Sequence, residues 1–452
     1  MDNIDSVVSR NDSLIESYIE QYSRDKKPIE VSFKSKLKHL NNSDRYTHLI
    51  HTYPAKLLMH IPYFFINNTF FSKKGDNVLD PFCGTGTVLL ESIIGGREAL
   101  GADANPLARL IAQVKVEKQD TRKLQLSLTR LIQRSKKYSD APIPDVVNID
   151  HWFPKKTQRN LAALLKSIKA IRDEKTQAFF MVCFSNCVKK VSYADPRVAV
   201  PVRLNPERFN NDPVRYKEAK RYLQNIKTID VCEKFKAIAT QNIERLDSFN
   251  NKSFDGTAKV ISKDARRLTT HIGSTTKLKK ESIQLIITSP PYAGAQKYIR
   301  SSSLNLNWTE LAGSMDLLEL DRKNIGRENF RSAELNFKLT GIKKADVLIK
   351  QIAKLDVVRA KIISQYLLEM KNAIDEAIRV LKKGGYFVLI VGNNKVCNKE
   401  FNTQEYLTSY IVGKKLKLVF KLIDDIKSYG LMTKRNKTAD IISREWVLVF
   451  KK

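Results

Sequence analysis

Cysteine is scarce in this sequence, five residues in 452, and the five are scattered (Cys83, Cys183, Cys187, Cys232, Cys397). An odd, dispersed set does not make a disulfide scaffold and suits a reducing compartment. Cys183 and Cys187 stand one helical turn apart, but no second Cys/His pair follows at a ligand-like spacing, so no metal site is expected. Long hydrophobic runs are missing too. None approaches the roughly 18 residues needed to span a bilayer, and the opening MDNIDSVVSRNDS has no apolar signal-peptide core. These absences predict a soluble, cytoplasmic protein with no membrane partner. Acidic residues are also in short supply: 48 Asp and Glu face 79 Lys and Arg, for a net charge of +31. Such an excess favours a polyanionic partner, because each cation that meets a phosphate releases condensed counterions. A Lys-rich, solvated surface is the plainer alternative.

Apolar residues are not lacking. They make up 42% of the chain, with 20 Phe, 16 Tyr and 3 Trp, enough for a conventional core. The length allows one large α/β domain with a second module or a big insertion. Residues 1–45 read as a polar lead-in with a helix near Ser13–Tyr22. From Tyr46 to about 119 the pattern is compact: a strand at Asn77–Leu79, a Gly/Thr-rich turn, a helix from Val88 to Ile94, a strand at Glu98–Ala102 and a helix at Pro106–Val114. Strand, tight turn, helix, strand is the opening of a doubly wound sheet. Residues 120–255 are Lys/Arg-rich with helical periodicity (Leu161, Leu164, Leu165, Ile168, Ile171) and read as a largely helical insertion. Strands resume at Ala258–Ile261 and Gln284–Thr288 in a segment 256–452, which holds a less regular insertion at 305–350. A long amphipathic helix carries Ile363, Tyr366, Leu367, Met370, Ile374, Ala377, Ile378 and Leu381 on one stripe. It is expected to stop at Lys382-Lys383-Gly384-Gly385, cations on its negative end and glycines for the turn. Tyr386–Val391 and Trp446–Phe450 read as further strands.

Two motifs carry chemistry. The first is Asp80-Pro81-Phe82-Cys83-Gly84-Thr85-Gly86-Thr87, between a strand and a helix. Its glycines let backbone approach a ligand, and the helix N-terminus offers unpaired N–H groups. A dinucleotide would be served as readily as another adenosine-type ligand. Asp103, at the end of the next strand, can accept both hydroxyls of a ribose, or cap the helix that Pro106 begins. The second motif is Thr288-Ser289-Pro290-Pro291-Tyr292, after the strand Gln284-Leu285-Ile286-Ile287. It resembles the catalytic tetrapeptide of the DNA amino-methyltransferases, whose target is an exocyclic amino group, a poor nucleophile because its lone pair is delocalised into the ring. Acceptors at Ser289 Oγ and the Pro290 carbonyl can each take one N–H and favour a tetrahedral nitrogen. The prolines fix those acceptors and add no competing donor. Tyr292 offers a flat face to a base that has left its stack. An ordinary Pro-Pro turn would need serine before it and tyrosine after it by coincidence.

The two motifs together resemble those of the DNA amino-methyltransferases, which methylate N4 of cytosine or N6 of adenine. The resemblance covers roughly 46–118 and 256–450, with the cofactor motif preceding the catalytic one. It implies a Rossmann-like, class I S-adenosylmethionine-dependent α/β fold with a mostly parallel sheet. It also implies S-adenosylmethionine as cofactor, held by Asp80, Phe82, Gly84, Gly86, Thr87 and Asp103. Upstream, His51-Thr52-Tyr53-Pro54-Ala55-Lys56 is similar to the family segment that closes over the methionine part, which adds Tyr53, Pro54 and Lys56. Asp264 stands where relatives place a side chain against the adenine, or is a surface turn acid. Gly384-Gly385-Tyr386 through Gly392-Asn393-Asn394 resembles the strand bordering the target pocket, and 440–451 the closing strand. Ser289, Pro290, Pro291 and Tyr292 are the implied catalytic set.

The implied partner is double-stranded DNA, with a cognate restriction enzyme or specificity subunit in a restriction-modification setting. The insertion 120–255, with 305–350, is the candidate DNA reader. Asp195-Pro196-Arg197 and Arg203 there are candidate contacts or merely a capped turn. Serine in first position leans towards N4 of cytosine. A cytosine-C5 enzyme would need a Pro-Cys nucleophile, and none of the five cysteines follows a proline. A tRNA guanine-N2 methyltransferase is disfavoured by that serine and by the brevity of residues 1–45. A catalytically inactive DNA-binding scaffold is disfavoured by the intact motifs, and an NAD oxidoreductase by a tetrapeptide that has no part in hydride transfer.

Overall fold

A computed structural model describes residues 4–37, 40, 45–54, 56–294, 298–331, 334–425 and 444–452. The chain builds an eight-stranded sheet from β1 (Ile29–Val31), β2 (Asn77–Asp80), β3 (Glu98–Ala102), β4 (Thr257–Ser262), β5 (Ile283–Thr288), β6 (Leu381–Gly392), β9 (Lys417–Asp425) and β10 (Arg444–Lys451). A small hairpin of β7 (Asn394–Val396) and β8 (Lys399–Phe401) stands apart. The order is β1-β9-β10-β6-β5-β2-β3-β4. From β6 to β4 all neighbours are parallel, whereas β10 runs antiparallel to both β6 and β9. This is the doubly wound α/β architecture that the motif order implied. Succession reverses at β2, where β3 and β4 lie on one side and β5 and β6 on the other. Such a switch point opens a crevice at the strands' carboxyl ends.

The central strands are buried on both faces, which explains their nearly continuous apolar text. Ile286, Phe387 and Leu389 face the stripe of helix Val357–Val380, with Ile363, Leu367, Met370 and Ile374 in the same core. Leu285, Ile287, Val388 and Ile390 point the other way, against Phe64, Phe65 and Phe71. The insertion forms helices Thr121–Ser135, Lys155–Lys169, Glu174–Val188, Pro213–Thr228 and Val231–Asn250. Four of them start on an aspartate (Asp120, Asp173, Asp212, Asp230) whose side chain accepts first-turn N–H groups. Their core, with Phe179, Phe180, Phe184 and Phe235, runs without a break into Leu90, Leu107 and Ile111 of the helices behind β2 and β3. The insertion therefore packs on the outer side of the helices that lie behind β2 and β3.

Two local outcomes differ from the sequence reading. The lead-in is more than polar: helix Ile4–Asp25 buries Ile15, Tyr18 and Tyr22, Tyr18 lies edge-on to Phe420 at 6.1 Å, and β1 joins the sheet edge beside β9. The long helix ends at Val380, and Leu381 is already paired with Ile283 of β5. The cation on its carbonyls is Lys452, whose Nζ donates to Ile378 and Leu381 at 2.7 and 2.6 Å, rather than Lys382 or Lys383. Gly384 does turn the chain, at φ +76°.

Candidate functional site

At the switch point a cleft of about 380 Å³, open to solvent, draws its walls from three stretches of sequence. Asp80, Phe82, Gly84 and Thr87 come from the turn after β2, Tyr53 and Lys56 from the segment before it, and Ser289 from the loop after β5. Leu57, Cys83 and Thr85 complete the lining and were not foreseen.

The turn is shaped by backbone conformations that favour glycine. Gly84 (φ +50°) has nothing within 4 Å of where a Cβ would stand, so its backbone is bare. Gly86 (φ +78°) sits against the neighbouring helix, where a Cβ would meet Ala112 Cβ at 3.1 Å. Asp80 accepts from Thr288 Oγ1 at 2.6 Å and Phe82 N–H at 3.1 Å, and burial pushes its carboxyl up to about 7. Asp103 stands behind the turn, taking Gly84 N–H at 2.9 Å and Asn105 N–H at 2.8 Å. Burial raises its pKa against the pull of those two N–H groups and of Arg109. Each carboxylate oxygen keeps a free lone pair.

The upstream segment is gripped from two sides. Arg45 and His48 close on the fully buried Glu91 of helix Thr87–Ile94, with His48 Nε2 at 2.7 Å. Burial would raise that carboxyl, but Arg45 and His48 outweigh it and hold it below its usual range. On the insertion side, His51 Nε2 lies 3.1 Å from Ser185 Oγ, Thr52 Oγ1 donates to Asn186 at 2.8 Å, and Asn242 donates to the Ile50 carbonyl at 2.9 Å. Lys56 donates to the His48 and His51 carbonyls, and burial, helped by Arg245, brings its amine down to about 8. Asn105 ties three parts together. Its amide donates to Tyr53 Oη at 2.9 Å and Ser302 Oγ at 3.1 Å, while its carbonyl caps Leu107 N–H. Pro54 lies in this segment between Tyr53 and Lys56; Ala55 falls outside the described residues.

The loop after β5, which carries Ser289 to Tyr292, is held at both ends. Thr288 is bound to Asp80, the Ala293 carbonyl accepts from Asn394 at 2.9 Å, and Tyr292 Oη donates to Glu445 Oε1 at 3.0 Å. Gly326 backs it so closely that a Cβ would stand 3.1 Å from the Tyr292 carbonyl and 3.6 Å from Pro291 Cβ. Pro290 is buried directly after Ser289. Arg266 grips the Asp264 carboxylate through Nε and a terminal nitrogen, both at 2.9 Å, and Asp264 is not among the residues that line the cleft. In the insertion, Arg197 is paired with Asp195, which also accepts the Arg197 N–H at 3.0 Å, so 195–197 forms a capped turn. Arg203 donates to the His151 carbonyl and lies over the Tyr193 ring.

Reasoning from sequence assigned no role to Glu445 or Asn105, and placed Asn394 only within the segment bordering the target pocket. Asn105 was recoverable as the helix cap before Pro106, whereas Glu445 shows its partner only in three dimensions. Among the described residues no group of His, Cys, Asp and Glu is placed to hold a metal, and no helix is long and apolar enough to cross a membrane. Cys83 is buried with its thiol pushed well up, and it packs under Gly101. A bare glycine backbone, a carboxylate with spare acceptor capacity, an acidic wall and two aromatic side chains suit an adenosyl group joined to a cationic sulfonium. The site therefore fits S-adenosylmethionine.

The chain is similar to several known methyltransferases. The chain is 25% identical over 375 residues to the type II methyltransferase M.MvaI of Kocuria varians, covering 78% of each chain. It is 34% identical over 95 residues to the type II methyltransferase M.MjaII of Methanocaldococcus jannaschii, covering 21% of this chain and 18% of that one. Among solved structures, the rRNA methyltransferase aviRa of Streptomyces viridochromogenes aligns over 89% of this chain and 88% of its own, at 10% identity and a TM-score of 0.27. The DNA methylase family of N6 and N4 type matches residues 4–113 and 283–452, the two blocks that flank the insertion and contain both motifs. The chain belongs to that family of DNA methyltransferases, whose methyl donor is S-adenosylmethionine.

Proposed function

We propose that this protein transfers a methyl group from S-adenosylmethionine to the exocyclic amino group of a base in double-stranded DNA, N4 of cytosine in preference to N6 of adenine, within a restriction-modification or phage-defence system. One observation carries the reading: Ser289 and the turn from Asp80 to Thr87 share one cleft, although some 200 residues separate them. The base preference rests on serine in the first position of the tetrapeptide. The type II relatives support the restriction-modification setting.

When bound, S-adenosylmethionine supplies an electrophilic methyl group on a sulfonium. The protein's part is positioning and electrostatics. Asp103 accepts ribose hydroxyls, and Tyr53, Pro54 and Lys56 close over the opposite end. Asp264 borders the adenine with its carboxylate steadied by Arg266. Ser289 Oγ and the Pro290 carbonyl accept the two amino N–H groups, which turns the nitrogen lone pair out of the base plane. Pro291 keeps the loop stiff, and Tyr292 stacks on the flipped base. The basic helices of the insertion, with the segment 305–350, follow the DNA backbone and read the site.

The test is methyl transfer from tritiated donor to unmethylated genomic DNA and to total tRNA, followed by nucleoside mass spectrometry. N4-methylcytosine is the expected product. N6-methyladenine would overturn the base preference alone, and label confined to tRNA would overturn the substrate.

A further inference from the structure

We infer that Glu445 is the positioning residue for Tyr292: its carboxylate holds the phenol and so fixes the plane on which the target base stacks. The inference rests on the catalytic reading of Tyr292 given above. Glu445 is the second residue of β10, and β10 runs antiparallel to β6, so its start lies at the carboxyl edge of the parallel strands. The loop after β5 emerges at this same edge. Between β5 and β10 lies only β6, and the β6 residue in register with Glu445 is Gly392, which has no side chain to stand between them. Tyr292 Oη reaches Glu445 Oε1 at 3.0 Å.

Tyrosine needs such a partner if it is to serve as a platform. A ring whose face is left free for a base can be located only through its edge and its hydroxyl. The bond to Glu445 removes the freedom of the ring to swing about its side-chain torsions. The backbone on either side is already fixed: Asn394 holds the Ala293 carbonyl, and Gly326 lies under the Tyr292 carbonyl. Ser289 also hydrogen-bonds the Tyr292 side chain, from within the same loop, and Glu445 anchors the phenol from outside it, to the sheet. Burial raises the pKa of the Glu445 carboxyl, as expected of a group turned inward to a partner rather than out to water.

Four proteins test this: Tyr292→Phe, Glu445→Ala, Glu445→Gln and the double variant Tyr292→Phe/Glu445→Ala. Each is compared with the parent for methyl-transfer kcat on unmethylated genomic DNA and for S-adenosylmethionine affinity by calorimetry. Tyr292→Phe and Glu445→Ala should each lower kcat roughly ten-fold or more, the worth of a charge-assisted hydrogen bond. Cofactor affinity should stay within about two-fold, which also reports that each variant is folded. The double variant should be no slower than the slower single one, because both remove the same bond. Glu445→Gln retains an acceptor and should recover most of the rate. Full activity in Glu445→Ala, additive losses in the double variant, or a parallel fall in cofactor affinity would each overturn the role of Glu445. A parent that labels tRNA instead of DNA would overturn the substrate reading and leave the same comparison to be made on tRNA. A parent that binds cofactor and labels neither would overturn both.

Discussion

Thr288 donates its hydroxyl hydrogen to Asp80 Oδ1 across 2.6 Å, joining the ends of two adjacent strands that lie 208 residues apart in the chain. The bond closes the switch point from below. It links the turn after β2, the proposed donor site, to the loop after β5, the proposed site for the acceptor base. Replacing Thr288 with valine keeps the shape and removes the donor. We expect a loss of about 1–3 kcal/mol in urea denaturation, with lower kcat and weaker cofactor binding together, since both halves of the cleft lean on this bond.

Asp80 gives a pH signature. Its folded pKa, pushed to about 7 by burial, lies above the ordinary 3.8, so the folded protein binds the proton more tightly than the unfolded chain. The ionised carboxylate therefore subtracts stability as pH rises through that window. Asp80→Asn keeps the acceptor for Thr288 and Phe82 and removes the titration. Above pH 7 and without cofactor this variant should be the more stable, by up to a few kcal/mol, and the gap should vanish towards pH 4. A Tm difference that does not vary with pH would contradict this.

The Glu91 cluster acts in the opposite direction. Burial depresses His48 below 6.5 despite Glu91, so its contribution is lost as pH falls past that value. Glu91 is held below 4.5, and its contribution is lost at still lower pH. Glu91→Ala strands the half-buried Arg45 guanidinium and leaves the buried His48 without its partner, and should cost about 3 kcal/mol or more. Thermal melts between about pH 5 and 8 should show a steeper acid limb in this variant than in the parent, because Glu91 is the group that holds the His48 pKa up against burial.

The two turn glycines separate folding from binding. Alanine at Gly86 combines a left-handed backbone with a crowded contact at Ala112 and should cost about 2 kcal/mol or more. Alanine at Gly84 meets open space and should cost about 1 kcal/mol. Its methyl group would project from the backbone at the cleft, so cofactor affinity should fall by more than stability does. Calorimetry and denaturation on the same two proteins decide this.

The proposed roles divide in the same way. Ser289→Ala and Tyr292→Ala should cut turnover far more than cofactor affinity, whereas Asp103→Ala should weaken cofactor binding. Equal loss of cofactor affinity in all three would remove the assignment of roles.

Much of this was legible in the sequence because the central strands obey local rules. Glu98–Ala102 and the helices flanking it have period, cap and turn residues that agree. The two motifs could be read because a glycine turn and a Pro-Pro tetrapeptide are uncommon outside such sites. What escaped was decided by distant neighbours. The three-residue β1 is a strand only because β9 lies beside it. In β9, lysines at 417 and 421 interrupt the apolar text where the pattern is partly exposed. Glu445 looks like any strand acid until the sheet brings Tyr292 to it.

The strand order has a consequence for how the molecule forms. Val78 pairs with Leu285, and Ile29 with Leu422, so neither the middle nor the rim of the sheet can close from nearby sequence. Contacts of such separation make folding slow. During synthesis the donor half of the cleft exists first, with its β5 side open, while the helical insertion emerges. Cofactor affinity should therefore be gained late in refolding, in step with the docking of β5, and not with the earlier appearance of helix.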